Sequence, residues 1–116
     1  MVAGMASALS GIQTGGRMLN VGAHNIANAQ SEGFKRTRAL PVESATGGVT
    51  VSLAKDVRSG PQFYSHEDPF IPREGSNVDL GEEIISSLEA TNLIKANIAS
   101  FRMQDKVLGS LLDITE

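Results

Sequence analysis

The sequence predicts an α+β fold, in which long N- and C-terminal helices pair as an antiparallel coiled coil with a small β-hairpin and extended segment between them. Three observations predict it. An apolar series at helical spacing, Met5, Ala8, Ile12, Leu19, Ala23 and Ile26, runs through residues 1–30. A longer series, Ile84, Leu88, Thr91, Ile94, Ile98, Phe101, Leu108 and Leu112, runs through residues 76–116, with Asp105 in the place between Phe101 and Leu108. Steps of three and four of this kind are those of helices packed on one another. Between the two series the helical spacing stops, and glycine, proline and alternating β-branched residues take over.

The first element, residues 1–30, reads as a helix from Ala3 to Asn28. Gly11, Gly15, Gly16 and Gly22 each cost it roughly 1 kcal/mol relative to alanine, so it is weak alone, yet small residues let a second backbone come close. The alternative is a bent helix, or two short ones broken at Gly15-Gly16. Ser31-Glu32-Gly33 ends the helix, Gly33 being suited to a left-handed conformation that a Cβ resists. In the connector, residues 31–75, Val49, Val51 and Leu53 alternate with Thr50 and Ser52 after Gly47-Gly48, a strand leaving a tight turn. Arg38 to Glu43 is its expected partner, limited by Pro41 to an edge position. Gly60-Pro61, Pro69 and Pro72 make Ser59 to Gly75 an ordered loop or short extended pieces, with Phe63, Tyr64, Phe70 and Ile71 as expected anchors.

The last element, residues 76–116, can be capped by several residues between Ser76 and Asp79. It places Glu82 and Glu83 in its first turns, where the helix dipole favours negative charge, and runs to about Asp113. At 1.5 Å per residue it is on the order of 50 Å long, more than the diameter of a compact domain of this length. The three elements therefore form one structural domain whose last helix must protrude or lie along something.

With 41% hydrophobic residues in 116 the chain is neither disordered nor collagenous, but an aromatic share of 4% without tryptophan is thin for a self-sufficient core. The terminal helices are expected to order fully only on assembly. The net charge is −3, and the basic cluster Lys35, Arg36 and Arg38 is too short for a phosphate-binding stripe, so no nucleic-acid partner is expected. The absence of cysteine excludes disulfides and thiolate metal sites. Ser7, Ser10, Gln13 and Thr14 interrupt the first apolar run, and no run approaches the roughly twenty apolar residues of a membrane span. Neither a cleaved signal peptide nor membrane insertion is therefore expected.

His66, Glu67 and Asp68 are the candidate catalytic or metal-binding group, with His24 elsewhere in the chain. Adjacent residues point in different directions and no second motif supplies further ligands, so no catalytic, metal or cofactor site is expected and the chain does not read as an enzyme. Gly15-Gly16-Arg17 lacks the preceding strand and the lysine of a phosphate loop. The residues expected to form an assembly interface are Leu9, Ile12, Leu19, Asn25, Ile26, Asn28, Ile84, Leu88, Ile94, Ile98, Phe101, Leu108 and Leu112. The amides of Asn25 and Asn28 could bond to a neighbouring subunit or cap the first helix. Asp105 should meet Arg17, Arg102 or a neighbour's cation, or lie solvated at the edge of the seam.

The N-terminal motifs Ala8-Leu9-Ser10-Gly11, Leu19-Asn20-Val21, Asn25-Ile26-Ala27-Asn28-Ala29 and Gly33-Phe34-Lys35-Arg36 resemble the rod signature of the axial proteins of the bacterial flagellum. That family comprises the rod, hook and hook-associated proteins. Ser76-Asn77-Val78-Asp79-Leu80 opening a helix, then Glu83, Ala96-Asn97 and Leu108-Gly109-Ser110-Leu111-Leu112-Asp113, are similar to the family's C-terminal segment. The two matched ends span about two thirds of the chain. The resemblance implies a structural subunit of the basal-body rod, in the periplasm, whose terminal helices pair and self-assemble into a helical tube that transmits torque and encloses an export channel. It also implies other rod and hook proteins as partners, and passage of the unfolded chain through the flagellar type III export apparatus without a cleaved signal. The short middle points to a proximal-rod type of member. Asn77-Val78-Asp79-Leu80 and Leu108-Gly109-Ser110-Leu111-Leu112 look more like distal rod and hook proteins, so an atypical paralogue of those is an alternative. From a different class, a soluble helical binding module such as an export chaperone or adaptor would be folded as a dilute monomer.

Overall fold

A computed structural model describes residues 2–114 of the chain. Two long helices, α1 (Val2–Ala27) and α2 (Leu80–Asp113), pack against each other, with a connector of four short strands between them. α1 passes through Gly15-Gly16 without a break. It ends where the Asn28 side-chain amide donates to the His24 carbonyl at 2.9 Å, and the chain reverses through Gly33 at φ 65°. α2 starts on Asp79, whose carboxylate accepts from the Glu82 N–H at 3.0 Å, and carries Glu82 and Glu83 in its first turn.

In the connector, β1 (Thr37–Glu43) and β2 (Val49–Lys55) form an antiparallel hairpin in which Thr37 opposes Lys55, Pro41 opposes Val51 and Glu43 opposes Val49. Its turn passes through Gly47 and Gly48, at φ 91° and 80°, values a side chain with a Cβ resists. Seated lengthwise on α1, the hairpin is tied at both ends. Thr14 Oγ1 donates to the Val49 carbonyl at 3.1 Å, the Val49 N–H donates to Ser10 Oγ at 3.0 Å, and Asn25 brackets Thr37. β3 (Gln62–Tyr64) and β4 (Pro72–Glu74) form a second antiparallel pair. The aromatic and apolar anchors expected for this stretch do not anchor it: Phe63, Tyr64, Phe70 and Ile71 are all exposed. Strands three residues long have no face to bury. Backbone bonds hold the pair instead, from the Gly33 N–H to the Glu74 carbonyl and from the Gly75 N–H to the Pro61 carbonyl, both at 2.8 Å.

The seam between the helices is built from small and polar residues. Gly4 lies against Gln104, Gly11 against the Asn97 amide, Gly15 against Ile94 and the Ala90 carbonyl, and Gly22 against Ser87 and Glu83. Contacts therefore step back along α2 as they advance along α1. On α2 the contacting positions Glu83, Ala90, Asn97 and Gln104 recur every seventh residue. The expected apolar seam is displaced from this one. On α1, Met5, Ile12 and Leu19 are only half-buried and Ala23 and Ile26 are exposed; on α2, Ile84, Leu88 and Leu112 are exposed. Glycine explains the offset, because a helix face without Cβ atoms admits the partner backbone to a distance that an isoleucine face cannot match. Asp105, at the interruption of the apolar series, is exposed.

The consequence is a body with almost no apolar interior. Among the described residues the buried hydrophobic side chains are Ala8 and Ala90. The backbone measures 80 × 24 × 15 Å and has a radius of gyration of 20.6 Å, against about 13 Å for a compact domain of this length.

Candidate assembly interface

The segment after α1 and the segment before α2 meet at a polar joint beside the start of α2. The Asn77 side chain accepts from the Arg36 N–H at 2.7 Å and donates to the carbonyls of Asp56 and Arg58, both at 2.9 Å, while its own N–H donates to the Phe34 carbonyl at 3.2 Å. One side chain and its backbone thus tie two separate stretches, at Phe34–Arg36 and Asp56–Arg58, to the foot of α2. The Arg36 guanidinium, nearly buried, forms ion pairs with Glu82 and, at 2.8 Å, with the buried Glu83. A buried carboxylate needs such a partner, because desolvating a lone charge is costly. Phe34 itself packs edge-on against His24, ring centres 5.6 Å apart.

Two further carboxylates brace the joint. Arg58 Nη2 approaches Asp56 to 2.5 Å and Nε bonds both of its oxygens at 3.0 Å, which holds the Asp56 carboxyl well below the usual carboxylate range. The hydrogen bond from Lys35, helped by the Gly60 N–H at 2.7 Å, likewise lowers Glu74. Gly33-Phe34-Lys35-Arg36 and Ser76-Asn77-Val78-Asp79, far apart in sequence, are therefore in direct contact. Lys35 and Arg36 are both spent in ion pairs within the chain.

The expected interface residues fall into three groups. Ile94 faces Gly15 across the seam. The side chain of Asn25, 1% exposed, accepts from the Thr37 N–H at 3.0 Å and donates to the Thr37 carbonyl at 2.8 Å, so its bonding capacity is used inside the chain; Asn28 caps α1 and accepts from Ser31 Oγ. Of the rest, Ile12, Leu19, Ile98 and Phe101 are half-buried, and Leu9, Ile26, Ile84, Leu88, Leu108 and Leu112 are exposed. Sequence reasoning missed a second exposed stripe, Met103, Val107, Leu111 and Ile114. Its spacing of four, four and three was the available signal, hidden because these residues flank the series assigned to the seam.

A trough of ≈ 570 Å³ opens between β1 and the first half of α2. Met18 and Val21 of α1 form its floor, Ala39 and Leu40 one wall, and Ile85 and Leu93 the other, with Arg38, Glu82 and Glu89 among its lining charges. Its lining thus sets apolar side chains beside charged ones. Among the described residues no helix is long and apolar enough to cross a membrane. No family model and no curated protein matches the chain.

Proposed function

We propose that the chain is a structural subunit of the bacterial flagellar basal-body rod, which self-assembles with other axial proteins into a helical tube. In this reading α1 and α2 act as an antiparallel coiled coil, and the tube transmits torque around the export channel. The observation that carries the reading is the displacement of the two seams. A glycine and polar seam joins the helices within the chain, and the apolar residues are left on outer faces: Leu9 and Ile26 on α1, Ile84 and Leu88 on α2, all exposed. A chain with so little interior gains its hydrophobic stabilisation between subunits. The joint adds support, because the motifs that resemble the axial family at each end are hydrogen-bonded to one another.

The reading is tested in the bacterium that carries the gene. Its deletion should abolish flagellar filaments and swimming, and the wild-type gene should restore both. Leu88→Asp, at a side chain 61% exposed, should be exported yet fail to restore them. Normal flagella in the deletion strain would end the proposal, as would a purified chain that stays monomeric at every concentration.

A further inference from the structure

We infer that copies of this chain dock head to tail, the projecting end of α2 from Met103 to Ile114 seating in the trough between β1, α1 and α2 of the next copy. The inference rests on the assembly reading above and specifies its contact. Four observations carry it.

First, α2 outruns its partner. Gly4 meets Gln104 and Gly11 meets Asn97, so Val2 is level with Lys106, and the helix from Val107 to Asp113 has no part of α1 (Val2–Ala27) beside it. Second, the overhang carries Val107 and Leu111, continued by Met103 one turn before it and by the C-cap Ile114 after it, at the helical steps by which an amphipathic helix anchors in a groove, each roughly half exposed or more. Third, the trough offers the matching surface, an apolar floor and walls with room for one face of a helix.

Fourth, the charges match. The lip of the trough includes Glu89, exposed and in no ion pair among the described residues; Arg102 and Lys106, exposed and likewise unpaired, flank the stripe on the overhang. The last turn of α2 contains no basic residue, and Arg38, exposed in the trough, is a cation available to its negative dipole end. Overhang and trough also lie apart along the body, the overhang at the C-terminal end of α2 and the trough beside its first half. Residues 85 and 111 of α2 are separated by about 40 Å of helix, so copies added in one direction propagate an open stack, whereas two antiparallel copies exchanging both ends would close a dimer, and sedimentation beyond a dimer selects the stack.

The absence of cysteine allows a direct test. Leu111→Cys and Ile85→Cys variants, one carrying a size tag, are mixed at assembling concentration and mildly oxidised, with sedimentation followed in parallel. A mixed disulfide between the two variants is expected, forming many times faster than one between Leu111→Cys and Glu67→Cys, which lies on an exposed loop. Lys106→Glu on the first chain should slow the link, and Glu89→Lys on the second should restore it. Sedimenting assemblies whose fastest links are same-variant pairs, or that link no faster than the control, would overturn this contact and leave the assembly reading standing. A sample that neither sediments nor cross-links at any concentration would remove both.

Discussion

Asn77 joins Arg36, Asp56 and Arg58 through three hydrogen bonds, each between its own amide and a backbone atom. Asn77→Ala leaves the Arg36 N–H and the Asp56 carbonyl unpaired in partly buried positions, while the Arg58 carbonyl keeps Lys35 Nζ at 2.9 Å, and the loss should be about 1–3 kcal/mol of unfolding free energy, read by urea titration. Asn77→Asp should recover little, since it keeps the acceptor for Arg36 but turns a second oxygen on two carbonyls. The carboxylates of the joint set its acid limit. Asp56 and Glu74 both have lowered values in the folded chain, held down by Arg58 and Lys35. Their contribution is therefore complete above the ordinary carboxylate value of about 4 and is lost as the pH falls through their folded values. Thermal stability should be flat from neutrality to about pH 5 and decline below about pH 4, and Arg58→Gln should weaken that decline. A cap between Ser76 and Asp79 was legible in the sequence because the bond it makes, from Asp79 to the Glu82 N–H, spans only three residues. The partners of Asn77 are 19 to 43 positions away, beyond the reach of any local rule.

Neighbouring glycines in α1 carry opposite predictions. A Cβ on Gly16 would meet nothing within 4 Å, so Gly16→Ala should stabilise the helix by up to about 1 kcal/mol through propensity alone. A Cβ on Gly15 would fall 2.5 Å from Ile94 Cγ1 and 3.0 Å from the Ala90 carbonyl oxygen. Gly15→Ala should therefore lower the melting temperature, because overpacking of about 1–3 kcal/mol outweighs that gain. The periodicity of the two apolar series located both helices, and the glycine pair with its alternating valines located the hairpin, to within a residue or two. Which helix faces meet was not legible. Apolar spacing says which side chains avoid water, not what covers them, and the glycines read most simply as weakness until Asn97 and Ile94 are seen lying against them. The β3–β4 pair was half legible: the prolines announced extended chain, but its hold through Glu74 and Pro61 carbonyls has no side-chain signature.

As a whole molecule, the chain should gain protection with concentration. Amide hydrogen exchange in residues 2–30 and 77–113 should slow on assembly far more than in the hairpin, whose bonds to α1 are already made. Leu88→Asp, being exposed, should keep the dilute chain's circular dichroism while abolishing that concentration dependence. An ordered stack built through overhang and trough should repeat at about 40 Å along its axis, visible as a layer line in diffraction from aligned assemblies. The shape has a mechanical meaning of its own. A body 24 Å wide and 15 Å thick is a blade rather than a cylinder, and the bending stiffness of a beam rises as the cube of its depth in the plane of bending. Alone, the blade flexes readily across its thin dimension and resists flexing edgewise, so only neighbours clamped to its broad faces can stiffen it.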